Sequence, residues 1–259
     1  MTAVTVAPPS PNLALNQLVD RRRAEGASLV HLAFGEARLP VLPQLAEQLA
    51  LGAARASYGP VAGAECVRDA VAGYFTRRRL PTEADRVIVA PGSKPLLMAL
   101  QLVIPGDVLL PRPAWNTYAP QARYAGKKVY GVPIPAECGG VPAPGALRET
   151  IRRARAAGAD PRLLVLTLPD NPTGTLAPPA LIRELCALAR AEDLLIISDE
   201  IYRDIVHDPE STPSSAPPRP PPSAPSSPAD CPRRSGSADG GSAWRASRWA
   251  RPARCCATR

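Results

Sequence analysis

Short apolar runs that stop abruptly at polar residues alternate with helix-spaced apolar positions along most of this 259-residue chain. Residues 163–208 show the pattern best. Leu163-Leu164-Val165-Leu166-Thr167-Leu168 runs into Pro169-Asp170-Asn171-Pro172-Thr173-Gly174, and Leu194-Leu195-Ile196-Ile197-Ser198 runs into Asp199-Glu200-Ile201-Tyr202. Continuous apolar runs of this length predict strands buried on both faces, and their polar ends predict an opening onto a site. Between them, residues 178–191 carry Leu181, Ile182, Leu185, Leu188 and Ala189 at helical spacing. Strand, helix, strand is a βαβ unit, which presents side chains where parallel sheets bind ligands.

The same alternation extends upstream. Leu13, Gln17 and Leu18 open a predicted helix that runs to about Glu25 and stops at Gly26; residues 29–34 predict a strand followed by Gly35, and residues 43–54 a helix. A glycine-bounded turn, Ser57-Tyr58-Gly59-Pro60-Val61-Ala62-Gly63, precedes a helix over 65–78 with Val67, Val71, Tyr74 and Phe75 facing inward. Residues 86–90 predict a buried strand, Pro91-Gly92-Ser93-Lys94 a turn, and residues 95–103 an apolar helix. Strands over 108–110 and 128–132 flank a helix with Tyr118 and Gln121, and a loop over 133–145 leads to a basic helix at 147–157. The alternation predicts an α/β domain with a mostly parallel sheet.

Composition changes this picture at one point. Residues 209–259 contain no Leu, Ile, Val, Phe, Tyr, Met or Lys, and are rich in Pro, Ser, Ala and Arg. Such a segment buries too little apolar surface to offset its ordering entropy, so it is expected to be disordered. Eight arginines against Glu210, Asp230 and Asp239 place +5 of the net +8 charge in this segment. The remaining +3 gives no support to nucleic-acid binding, and the Arg triplets at 21–23 and 77–79 read as solvated faces. No run approaches the roughly 18 apolar residues of a membrane-spanning helix. Without a basic-then-apolar leader pattern the expectation is a cytoplasmic protein. The six cysteines include no C-x-x-C pair, Cys186 falls on an apolar helix face, and His31 and His207 lack partners at metal spacing, so no metal site is expected.

The candidate chemistry begins with Asn-Pro-Thr-Gly at 171–174 and Ser-Asp-Glu-Ile-Tyr at 198–202, in order and separated by a helix. Together these runs resemble the class I/II pyridoxal-phosphate-dependent aminotransferases of fold type I, over about residues 12–208. The resemblance implies a three-layer α/β/α large domain, incomplete at its C-terminus; residues 1–11 ahead of it read as a flexible arm. It implies pyridoxal 5'-phosphate as cofactor, an amino acid and a 2-oxo acid as substrates, and a homodimer.

The residues fit that chemistry individually. Asp199, at a buried strand end, would keep the cofactor's ring nitrogen protonated by ion pairing, whereas Glu200 points the other way. As an alternative, Asp199 would cap a short helix. Asn171 and Tyr202 would each donate to the ring's phenolic oxygen, and a cis peptide before Pro172 is expected. Gly92, Ser93 and Lys94 stand at a helix N-terminus, where free N–H groups and the helix dipole suit a phosphate. The resemblance makes Trp115 the residue stacked on the ring and Tyr58 a phosphate ligand of the partner subunit; the alternatives are a structural tryptophan and a tyrosine packed at a helix start. It sets Gly35 against the substrate, where a plain turn glycine is the alternative.

One part is missing. The family's Schiff-base lysine follows the Asp-Glu-Ile-Tyr run in a Ser-x-Ser-Lys context, but the lysines here are Lys94, Lys127 and Lys128, all upstream. The composition change after Asp208 falls where that continuation would begin, so the tail is read as out of frame and the chain as an inactive fragment. Two alternatives keep the fold: a lyase or cyclase using the same cofactor, and a non-catalytic module that binds the cofactor or an amino acid.

Overall fold

The computed structural model describes residues 11–31, 39–78 and 80–207. The chain divides into two units, Met1–Ala56 and Ser57–Arg259. In the first, α1 (Pro11–Ala24) and α2 (Pro43–Gly52) are the helices among the described residues. Gly26 ends α1 in a left-handed conformation (φ +86°), and its N–H and that of Ala27 donate to Arg23 O and Arg22 O. That is how a glycine satisfies the last carbonyls of a helix. α2 opens on Pro43, whose fixed φ suits a first turn, and buries none of its residues. The predicted strand at 29–34 is not formed in its described part: residues 28–31 have no regular structure, with Val30 at 85% exposure. Gly35 and the rest of that segment lie outside the described residues.

The second unit contains α3 (Glu65–Arg77), α4 (Ser93–Val103), β1 (Asp107–Arg112), α5 (Tyr118–Tyr124), β2 (Val129–Pro133), α6 (Pro144–Ala156), β3 (Pro161–Thr167), α7 (Pro179–Ala191) and β4 (Leu195–Asp199). The four strands form one parallel sheet in the order β2-β1-β3-β4. Successive residues of β3 point to opposite faces, and both faces are covered. Leu164 and Leu166 join Leu147 and Ile151 of α6 and Ile182, Leu185 and Ala189 of α7 in one core. Leu163 and Val165 join Leu97 of α4 and Tyr118 and Ala122 of α5 in the other. The architecture is therefore the expected three layers, α/β/α. At roughly 1.5–3 kcal/mol for each large apolar side chain taken out of water, these two cores hold the layers together.

The connections position a crevice. From β1 the chain passes to α5 on one face, whereas from β3 it passes to α7 on the other. β1 and β3 are neighbours in the sheet, so the loops leaving their C-terminal ends diverge between them. Parallel sheets bind ligands at such a switch point.

The strand expected at 86–90 is absent. A short 3-10 helix occupies Ala84–Arg86, and residues 87–90 are extended without a ladder. A strand needs a neighbour, and here only Val89 N–H donates to Ala62 O while Ile88 is 65% exposed. Elsewhere the expected elements form, with boundaries shifted by a few residues. Among the described residues no helix is long and apolar enough to cross a membrane.

Candidate functional site

The loops at the C-terminal ends of β1, β3 and β4 carry most of the candidate residues, in two contact networks, one around Asp199 and Tyr118 and the other joining Asn171 to Tyr202. β3 and β4 lie in register, Thr167 opposite Asp199, so both strands deliver their last side chains at the same level. Asp199 is 4% exposed and meets no cation among the described residues. Its Oδ2 accepts the Tyr118 hydroxyl at 2.8 Å, and its Oδ1 faces the Ile201 N–H at 3.3 Å. Burial pushes the Asp199 carboxyl above the usual carboxylate range, and the two donors oppose that shift.

Tyr118 anchors this end of the site. Its hydroxyl lies 2.8 Å from both Asp199 and the Thr167 hydroxyl, and its ring is 1% exposed. Burial, then the neighbouring Asp199 charge, raises the phenol's pKa far above its ordinary value, so it remains a donor. Trp115 packs edge-on against Tyr118 with ring centroids 5.2 Å apart. Lys94 Nζ stands over the Trp115 ring, 5.7 Å from its centroid, and Gln121 Nε2 donates to the Lys94 carbonyl at 3.0 Å. The β1 loop and the start of α4 are thereby linked to Asp199.

Gly92 caps α4 with φ +92°, a conformation that L side chains rarely adopt. No side chain caps this helix, so the N–H groups of Ser93 and Lys94 lack intrahelical acceptors. On the far side, Asn171 Nδ2 donates to the Tyr202 hydroxyl at 3.2 Å. The Asn171–Pro172 peptide is cis, as expected. Glu200, pointing away from Asp199, accepts the Ser198 hydroxyl at 3.0 Å and pairs with Arg203 at 2.7 Å.

Not every expected residue joins these networks. Tyr58 is fully exposed and touches none of these groups. Lys127 and Lys128 directly precede β2, at the N-terminal edge of the sheet, while Asp199 closes β4 at the opposite edge. A five-residue strand separates those edges by about 16 Å. Lys127 Nζ is instead held by Ile104 O and Gly106 O at 2.5 and 2.6 Å; burial lowers its pKa against the pull of Asp107 and Asp160. Two open hollows of about 300 and 380 Å³ also lie elsewhere, by Tyr130 and Arg153 and by Gln101 and Lys127.

Tyr118, Thr167 and the Glu200–Arg203 pair escaped the sequence reading. Of these, only the Glu200–Arg203 pair carried a signal, its three-residue spacing being the separation at which side chains meet along a helical turn. Chemically, the crevice offers an acceptor for a cationic N–H at Asp199 and donors for an anionic oxygen at Asn171 and Tyr202. It adds an aromatic side chain at Trp115 and a helix N-terminus for an anion at Gly92–Lys94. That donor set fits a flat, anionic heteroaromatic cofactor.

The chain is similar to known proteins in sequence and in fold. The chain is 34% identical over 208 residues to the aspartate/prephenate aminotransferase of Thermus thermophilus, covering 78% of this chain and 52% of that one. It is 30% identical over 206 residues to the LL-diaminopimelate aminotransferase of Gloeobacter violaceus, covering 73% and 50%. Its structure matches that of the Thermus thermophilus aspartate aminotransferase with maleate at a TM-score of 0.72 and 30% identity, over 80% of this chain and 56% of the other. The chain thus spans about half the length of the curated relatives it matches. The family model for aminotransferase class I and II matches residues 27–221. On the shared fold, the shared sequence and that match, the chain belongs to the class I and II aminotransferases, a family that is generally pyridoxal-phosphate-dependent.

Proposed function

We propose that this crevice binds pyridoxal 5'-phosphate and serves the transfer of an amino group between an amino acid and a 2-oxo acid. The observation that carries the reading is Asp199, a buried carboxylate at the end of β4 with two hydrogen-bond donors and no cation among the described residues. An unpaired buried charge is costly, and a protonated ring nitrogen would supply the missing partner. When bound, the cofactor supplies an electron sink for the electron pair left behind when the amino acid's α-carbon loses its proton.

The chain's own residues divide the work of holding it. Tyr118 and the Ile201 N–H orient the Asp199 carboxylate toward the ring nitrogen. Asn171 and Tyr202, already hydrogen-bonded to each other, donate to the ring's phenolic oxygen. Trp115 covers the ring face. Gly92, Ser93 and Lys94 hold the phosphate at the start of α4. Tyr58, fully exposed in a single chain, reaches the phosphate of a second subunit in a homodimer. Lys127 and Lys128 lie at the wrong edge of the sheet, and Lys94 belongs to the phosphate turn. This chain therefore holds the cofactor without a Schiff-base lysine and does not turn over by itself.

Titrating the purified chain with pyridoxal phosphate, followed by borohydride reduction and peptide mapping, tests the reading. Saturable binding, weakened tenfold or more in Asp199→Asn, with no lysine labelled, is expected. Absence of saturable binding, or equal affinity in the variant, overturns the cofactor assignment. A labelled lysine overturns the inactive assignment.

A further inference from the structure

Asp170 is a second buried carboxylate, 4% exposed, that meets no cation among the described residues and plays no part in the cradle above. Among the described residues, its hydrogen bonds go to the loop that follows β3. Oδ2 accepts the Thr173 hydroxyl at 2.6 Å and the Thr173 N–H at 3.2 Å. The Thr173 hydroxyl has one proton, which goes to Asp170. The 2.6 Å contact between the Thr173 and Thr175 hydroxyls is therefore donated by Thr175. Backbone bonds close the same loop: Asp170 N–H donates to Thr175 O at 3.0 Å, and Gly174 N–H donates to Asp170 O at 2.9 Å.

A second segment presses on this clamp. At Gly140 (φ +89°) a Cβ would lie 2.3 Å from Asp170 Cβ and 3.0 Å from Thr175 Oγ1. At Gly139 (φ +62°) it would lie 2.2 Å from Leu176 O. Gly140 lets backbone close down on the Asp170 side chain, and Gly139 lets it close down on Leu176, where no other residue would fit. Burial pushes the Asp170 carboxyl above the usual range, opposed by the Thr173 donors and the Asn171 N–H. The loop thus retains an ionisable group at a desolvation cost, and the residue next to it is Asn171, whose amide reaches Tyr202.

We propose that Asp170 is a positioning residue. Through Thr173 it fixes the loop that aims the Asn171 amide at the cofactor's phenolic oxygen, and it touches no cofactor itself. The inference rests on the pyridoxal-phosphate reading above, and its test separates the two.

The first arm uses the unloaded protein. Hydrogen exchange of the Thr173 and Gly174 amides should quicken at least tenfold in Asp170→Ala. Asp170→Asn, which keeps an acceptor oxygen, should stay near wild type, and Leu164 and Val165 in β3 should be unchanged in both. The second arm follows the absorbance of bound cofactor against pH. Asp170→Ala should move the midpoint in the same direction as Asn171→Ala, and Thr173→Val should do so to a smaller extent. Asp170→Asn should restore the midpoint, and combining Asp170→Ala with Asn171→Ala should add nothing. Unchanged exchange, a midpoint unmoved by Asp170→Ala, or additive effects in the double variant overturns the positioning role. Failure of the wild-type chain to bind pyridoxal phosphate overturns the functional reading instead, and this inference with it.

Discussion

Arg203 and Glu200 form an ion pair of 2.7 Å in which the two side chains are only 6% and 4% exposed. Replacing Arg203 with Met keeps most of the volume and removes the charge. Glu200 would then be left buried with one side-chain donor, the Ser198 hydroxyl at 3.0 Å. Breaking a buried pair from one side costs about 3–5 kcal/mol, set against a total stability on the order of 5–15 kcal/mol for a domain. The long 3.4 Å contact from Arg203 Nη2 to Arg78 O adds little. Urea unfolding followed by far-ultraviolet dichroism should therefore show a much lower midpoint in Arg203→Met with an unchanged m-value. Glu200→Gln combined with Arg203→Met removes both charges and should recover more than half of the loss. A loss below about 1 kcal/mol in the single variant, the range of exposed pairs, would refute the reasoning. So would a double variant no more stable than the single one. The pair brackets Tyr202, so the single variant should also weaken cofactor binding.

Three further outcomes follow from the same geometry. Because the folded-state pKa of Asp199 is raised, the folded chain holds its proton at a pH where the unfolded chain has lost it, so stability falls as pH climbs from roughly 4 through the raised value. Asp199→Asn should flatten this decline in the unloaded protein while weakening cofactor binding; a variant with a steeper decline contradicts the account. Leu164→Ala, at a fully buried central position, should cost about 2–5 kcal/mol in denaturant unfolding, and a loss below 1 kcal/mol would mean the core is not packed as described. Gly139→Ala combines a left-handed φ with a backbone clash and should destabilise by more than about 1 kcal/mol. Gly158→Ala, left-handed but open around its Cβ, should cost less, and the reverse order in thermal melts would contradict the packing of Gly139 on Leu176.

The layers were legible in the sequence because both faces of β1, β3 and β4 are buried, which gives continuous apolar runs, and because α6 and α7 bury a single stripe each. Asp199, Asn171 and Tyr202 were legible as polar residues that end such runs. The 86–90 segment misled because an apolar run records burial or a partner, and here only Val87 is buried. Tyr118 was hidden for a different reason. A tyrosine on a short helix gives no local sign that its hydroxyl will meet a strand 81 positions later. Asp170 was hidden because its partners lie in its own loop and in the Gly139–Gly140 turn, at no recurring spacing. Contacts set by close backbone approach leave only glycines as their trace.

β4 ends the sheet among the described residues, hydrogen-bonded to β3 alone, yet it delivers both Asp199 and the turn that carries Tyr202. A strand held from one side opens locally with fewer bonds broken than β1 or β3, each held from two. Asp199 and Tyr202 therefore ride on one of the sheet's two edge strands, which open more readily than its central pair. A ligand that grips Asp199 and Tyr202 at once would act as the absent neighbour, and its occupancy would be read as slowed amide exchange along the whole of β4. Binding and edge protection in this fold would then be one equilibrium, measured from two ends.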